Sequence, residues 1–311
     1  MKSGEFLSAV KRAITVPTYQ PRFTETDLLD LANEEQRTLV VPMIMSLRED
    51  YFIIRETQAV AAGTSKIEIP TRAIGRTLRD VLLAQSNALF ASLPRISLED
   101  SYMWRNRGTG TPSGFFILDD SFELLPSPSA PCTLEVLWAI QPSKIVLETR
   151  AADVVSVGTD TVVLTRVPSN VTVGSLIDIT MGRAGYRTIY RDVEVLNISG
   201  TTLTLDGFTV ADPIENVRAG DSVSTAFETS VIQMPDEARD VLIQATAVRV
   251  LEALSIPDQL ESAQRIMERK IRACRELMTP RVEGALQKII NRNGLLRGRS
   301  SNRRYPNVLI P

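Results

Sequence analysis

The chain has 311 residues, with 35 lysines and arginines, 37 aspartates and glutamates, two cysteines and no histidine. Its length allows one large domain or two of ordinary size, and 43% hydrophobic residues with 23% charged suffice to bury a core. Without histidine there is no Ser-His-Asp or Cys-His arrangement and no zinc site with His ligands; Cys132 and Cys274 give no disulfide framework, and only carboxylate, lysine or serine chemistry survives.

Residues 1–10 lack a long apolar core, and no run approaches the roughly 18 consecutive apolar residues of a membrane-spanning helix. Neither a signal peptide nor a membrane span is expected, and an intracellular origin is the default. Phe6, Leu7, Val10 and Ile14 recur at helical spacing before Pro17. Thr24 is placed to cap a second helix, with Asp27 in its first turn and Leu28, Leu31, Leu39 and Val40 along it. Pro42 should kink or end that helix.

From Tyr51 the period changes to two. Tyr51–Ile54 and Ile67–Pro70 read as strands joined around Ala62-Gly63, followed by Leu78–Leu83, Gly114–Leu118 and Thr133–Trp138. Arg105 to Gly114 reads as a loop. Between Val154 and Phe227 the pattern echoes itself. Gly158–Leu164 resembles Gly200–Asp206, and Val173–Ile179 resembles Ala219–Ser224. Two related hairpin units closing into a small barrel or sandwich account for this; chance recurrence of Gly-Thr turns and Val-rich strands accounts for it equally.

Helix returns after Pro235. Val241, Leu242, Ala245, Val248 and Ala253 share one broad side, and a short turn over 255–258 follows. Leu260, Ala263, Met267, Ile271, Cys274 and Met278 then form a core-facing stripe. Thr279-Pro280 can start a third helix that Asn293-Gly294 stops.

The expected fold is α+β. N- and C-terminal helices form a bundle, with an inserted antiparallel β region that includes a small barrel or sandwich, and an extended C-terminal arm. The divisions are 1–50 (helical), 51–150 (β-rich), 151–230 (inserted barrel or sandwich), 231–292 (helical, completing the bundle) and 293–311 (basic and apolar arm).

Residues 281–311 hold seven lysines and arginines against Glu283, a formal +6. The whole chain is −2, so the remainder carries −8. Basic residues lead to Tyr305 and the apolar group Val308-Leu309-Ile310. Such an arm can contact nucleic acid, dock on an acidic protein surface or simply solubilise; the apolar triplet favours docking.

Chemistry is hard to find elsewhere. No Gly-rich loop leads to Lys-Ser or Lys-Thr, and Gly182–Arg187 lacks the dinucleotide fingerprint and reads as a hairpin loop. Asp119-Asp120 imply no third ligand and read as a solvated turn, and Glu34-Glu35 are adjacent helical acids without a recognisable carboxylate-pair geometry. Arg105, Asn106 and Arg107 near Tyr102 and Trp104 form a surface loop or a nucleic-acid contact. No catalytic, cofactor-binding or metal-binding residue is assigned, no cofactor is expected, and the chain is read as a non-enzyme.

Leu28-Leu29-Asp30-Leu31-Ala32-Asn33-Glu34-Glu35, the run Leu39 to Tyr51, Tyr51 to Gln58, Ile69 to Gly75, Leu78-Arg79-Asp80 and Gly114 to Leu118 resemble structural proteins of tailed bacteriophages. The organisation is similar to the head-to-tail adaptor, or head completion, proteins of short-tailed phages, over residues 20–140 best. The resemblance implies a homo-oligomeric ring, commonly of twelve copies, beneath the portal protein. It implies a place in the virion at the head–tail junction after synthesis in the host cytoplasm, with double-stranded DNA passing non-specifically and no membrane. The C-terminal arm would meet the portal through Arg297, Arg299, Arg303, Arg304, Tyr305, Val308, Leu309 and Ile310. The inserted β domain would face tail nozzle or tail fibre proteins. The alternatives are another tail component, such as a nozzle or fibre-attachment protein, and a carbohydrate-binding module.

Overall fold

The computed structural model describes residues 1–14, 23–84, 90–105, 108–183, 187–208 and 216–279. A compact unit spans Met1–Met278. The Pro17 break, the third helix after Thr279 and the arm from Asn293 lie outside the described residues.

The described residues form six α-helices: α1 Ser3–Ala13, α2 Glu25–Glu35, α3 Val41–Leu47, α4 Leu98–Arg105, α5 Asp236–Leu254 and α6 Pro257–Met278. Thr24 caps α2 reciprocally. Its hydroxyl accepts from the Asp27 N–H at 3.2 Å, and the Asp27 carboxylate accepts from the Thr24 N–H at 2.7 Å. Pro42 does not end the run. A π-helical turn over Gln36–Val40 joins α2 to α3, and the Val41 N–H reaches back five residues to Gln36 O. Pro42 then falls in the first turn of α3, where its missing N–H leaves no bond broken.

Helix α5 is buried on most of its circumference, with Val241, Leu242, Ala245 and Val248 in its interior, so it is the central rod of the bundle. Helices α1, α2 and α6 pack around it, and Phe6, Val10, Leu28, Ile44, Ala263, Cys274 and Met278 close the core. The first and last helices therefore share one core across the whole sequence. The expected turn after α5 is present: Ser255 adopts φ +56° and ends the helix before Pro257 opens α6.

Burial shifts several ionisable groups of the bundle, Glu35 among them. The Glu35 carboxyl is pushed above its usual range by desolvation, against the pull of the Arg249 guanidinium at 3.1 Å, with Glu34 and Glu252 adding to the rise.

Between the helices lies the β material. The first part holds nine strands: β1 Ile53–Val60, β2 Lys66–Glu68, β3 Ala73–Ala84, β4 Phe90–Ser92, β5 Thr109–Gly110, β6 Gly114–Leu118, β7 Ser121–Leu125, β8 Ser127–Pro128 and β9 Cys132–Ile140. Only β3 with β4 and β6 with β7 pair as neighbours in sequence. β1 pairs with β9, and β2 with β7, so the segments flanking Ala62-Gly63 belong to two different sheets. The four-stranded sheet runs β1-β9-β3-β4 and the three-stranded sheet β2-β7-β6. Their facing sides share Val81, Leu83, Phe115, Phe122, Leu134, Val136 and Trp138. Period-two patterning finds such strands but cannot name their partners. The Arg105–Gly114 loop is framed by two elements it did not announce, α4 before it and β5 within it.

The second part holds β10 Lys144–Ile145, β11 Ala151–Val157, β12 Thr161–Leu164, β13 Leu176–Thr180, β14 Thr188–Ser199, β15 Thr202–Leu205, β16 Ser222–Thr225 and β17 Glu228–Thr229. Six of them close into a barrel in the order β11-β12-β15-β14-β13-β16. β10 and β17 pair parallel and lead the chain in and out of it.

The echoed segments pair with each other, β12 with β15 and β13 with β16. Their local bonds repeat as well. The Gly174 N–H bonds to Val195 O and the Gly220 N–H to Val154 O, each at 2.8 Å, from left-handed turns at φ +82° and +89°. A register shift follows Val154 on β11 and Val195 on β14. The Leu164 N–H reaches Thr201 O as the Leu205 N–H reaches Asp160 O. The barrel is thus two copies of one three-strand unit. The match is displaced by one residue from the glycine alignment, because Val162 and Leu164 correspond to Leu203 and Leu205, all four buried.

Two glycines of the barrel separate conformational from steric need. A Cβ on Gly174 meets open space but sits in a left-handed turn, whereas a Cβ on Gly182 would lie 2.0 Å from the Gly220 carbonyl oxygen. Gly174→Ala is expected to cost about 1–2 kcal/mol. Gly182→Ala is expected to cost more, since backbone must move; urea denaturation of both variants ranks them. In the bundle, the native state holds the Glu35 proton to higher pH than the unfolded chain does. Stability from this group therefore falls as pH rises above the usual glutamate range of about 4.3. Glu35→Gln should flatten that decline in thermal midpoints measured from about pH 4 to 7.

Candidate interaction surfaces

One buried side chain links the sheet to the barrel directly. Arg72 sits within the turn that the Ala73 N–H closes on Pro70 O, and its own carbonyl is held by the Gln141 N–H at 2.8 Å. From there the guanidinium reaches across to the barrel strands β13 and β14. It donates to both Asp178 oxygens, at 2.6 and 2.9 Å, and to both Asp192 oxygens, at 3.1 and 2.6 Å. The Phe227 ring lies over it, 4.0 Å from Cζ to the centroid.

Side-chain exposure is 5% for Arg72 and nil for Asp178. The Asp178 carboxylate also accepts from the N–H groups of Asp192 and Phe227 at 3.1 and 3.0 Å. Desolvation pulls the Arg72 pKa down, but the hydrogen bonds and charges of the two aspartates outweigh it and hold the group above its ordinary value. In the sequence Arg72 sits in an unremarked turn and Asp178 among Val and Ile; only a charged residue inside an apolar strand hints at a partner.

Beside this clamp lies a polar cavity of about 520 Å³, lined among others by Asn33, Gln36, Arg37, Ser143, Lys144 and Phe227. Asn33 reads the backbone of β10, donating to Ile145 O at 2.9 Å and accepting from its N–H at 2.7 Å. Lys144 pairs with Asp30 at 2.9 Å. Helix α2 is thereby tied to the strand that enters the barrel.

A second cleft, of about 120 Å³, is apolar at its base and basic at its edge. Phe52, Ile53, Ile54, Ile140 and Pro142 line it with Tyr51, Thr188, Gln233, Arg187 and Arg191. Arg48 lies over the Tyr51 ring at 6.0 Å. Burial pushes the Tyr51 phenol up, while the Arg239, Arg187 and Arg48 guanidiniums pull it back; Asp236 is the acid that acts with burial. Basic groups therefore outnumber acids around the cleft.

The portal-binding candidates Arg297, Arg299, Arg303, Arg304, Tyr305, Val308, Leu309 and Ile310 all lie outside the described residues, as do Asn106, Arg107 and the 184–186 part of the Gly182–Arg187 loop. That loop connects β13 to β14, which pair antiparallel. Asp119 and Asp120 form the β6–β7 hairpin turn, Asp119 at φ +52° and Asp120 3.9 Å from Arg76. Trp138 is 2% exposed and donates from Nε1 to Glu56 at 3.1 Å, so it offers no stacking platform. Among the described residues no group of three or more His, Cys, Asp or Glu could hold a metal ion, and no helix is long and apolar enough to cross a membrane. No protein-family model matches the chain, and no curated protein matches it.

Removing the Arg72 side chain leaves Asp178 buried and unpaired. Arg72→Met is expected to destabilise the protein by about 3–5 kcal/mol, and adding Asp178→Leu should recover a large part of that loss. A double-mutant cycle in urea reads the coupling; strictly additive losses would show that the pair does not act as a unit.

Proposed function

We propose that this chain is a structural subunit of the head-to-tail adaptor of a short-tailed phage, a ring between portal and tail through which DNA passes. The observation that carries the reading is the division of the chain into two parts of opposite charge. The compact unit closes at Met278, and the +6 segment begins at Arg281, against −8 for everything before it. A folded acidic body joined to a basic segment suits an assembly protein that meets two partners. The helical bundle is the ring body on this reading. The 297–310 residues are the portal contact, and the barrel is carried on β10 and β17 toward the tail.

A second reading is favoured by one feature of the barrel. Val173, Leu176 and Leu196 are 60%, 47% and 49% exposed on it, which suits a tail component whose main contacts run through the β domain.

Imaging of the purified full-length protein and of phage particles, at a resolution that counts subunits, separates the two. A ring between portal and tail supports the adaptor; a peripheral trimer or an isolated monomer overturns it. Deleting Asn293 to Pro311 is expected to leave a folded body that no longer joins filled heads. Attachment at the full-length level would remove the arm from the account.

A further inference from the structure

Two surfaces of the body match in apolar character and are opposite in charge. The first is the cleft at Tyr51, with its base of Phe52, Ile53, Ile54 and Ile140 and its edge of Arg187 and Arg191. The second is α4. Met103 on α4 is 73% exposed, the most exposed large apolar side chain of the described residues, and Tyr102 beside it is 61% exposed. Glu99 stands one turn before them, at i,i+3 from Tyr102 and i,i+4 from Met103, so the three share one helical face. That face is apolar with an acid at its margin, and the cleft is apolar with bases at its margin. Helix α4 packs on β7, and none of its residues lines the cleft, so one copy does not join the two surfaces itself.

We infer that α4 of one copy docks in the Tyr51 cleft of a neighbouring copy, Met103 on the apolar base and Glu99 toward Arg187. The inference rests on the ring reading and supplies its subunit contact. A methionine suits a small irregular cleft, because its unbranched chain adapts to the space available. The basic 281–311 segment is a poor occupant, since its charge repeats that of the edge. DNA would engage the arginines and leave the apolar base empty. Because the two surfaces differ, the contact is heterologous, and its repetition generates a ring when the rotation closes.

The test uses full-length protein, with circular dichroism to show that each variant folds and native mass spectrometry with sedimentation to read assembly. Met103→Asp, Arg187→Glu and Glu99→Arg are each expected to weaken self-association by about tenfold or more, the scale of a central contact residue. Mixing Arg187→Glu with Glu99→Arg should restore assembly. Each species then presents the charge that the other's cleft accepts, while neither can pair with itself. Wild-type rings that survive all three substitutions would overturn this contact and leave the ring reading standing. A wild-type chain that stays monomeric at every concentration would overturn both. Loss of double-stranded DNA binding in Arg187→Glu, with assembly unchanged, would assign the cleft to nucleic acid instead.

Discussion

The molecule depends on one buried guanidinium. Arg72 leaves the turn before β3 and is held by both oxygens of Asp178 and both of Asp192, with Phe227 over its face. A buried ion pair of this kind adds little stability over an apolar substitute, because desolvation offsets most of the attraction. Its distinctive product is direction. Four charge-assisted bonds on a planar group fix rotation as well as distance, which packed Leu and Val side chains would not do. The barrel is a closed cylinder with its own core, so it could sit on the sheet in many orientations. Arg72 selects one.

The internal repeat shows how that selection arises. The two units of the barrel match strand for strand and repeat their register shifts and key backbone bonds. Asp178 on β13 corresponds in the second unit to Ser224 on β16, whose hydroxyl bonds to Glu228 O at 2.6 Å, toward the exit strand β17. One unit's position thus carries the clamp and the other's carries the chain out of the barrel. The two units differ where they touch the body, and that difference gives the barrel an orientation.

What the sequence disclosed follows from the range of each interaction. Thr24 and Asp27, the Ser255 turn and the α6 stripe from Leu260 to Met278 are local patterns, and local patterns leave a periodic trace. The π turn at Gln36–Val40 does not, because a one-residue insertion in a helix keeps the apolar face nearly intact. The partners of β1 and β2 are equally hidden, since alternation records a face and not a neighbour. Arg72 and Asp178 are 106 residues apart, and the Tyr51 cleft joins residues 51–54 to Arg187 and Arg191, far along the chain. Helix α4 escaped notice because Gly and Thr after Arg105 draw attention to the loop, although Ser97 caps it, its hydroxyl accepting from the Asp100 N–H at 3.2 Å and donating to the Asp100 carboxylate at 2.8 Å.

A ring places a demand on its subunit that a monomer does not meet. Each copy must hold its two complementary surfaces at a fixed angle, because an error in that angle is repeated at every step and prevents closure. Here α4 rests on β7 in the sheet layer, while Arg187 and Arg191 come from the start of β14 in the barrel. The angle between the surfaces is therefore the angle between sheet and barrel, and Arg72 sets it through Asp192, one residue beyond Arg191. On the proposed reading, the costly buried charge and the exposed apolar helix answer the same requirement. The clamp fixes the geometry inside one copy so that the contact between copies can close.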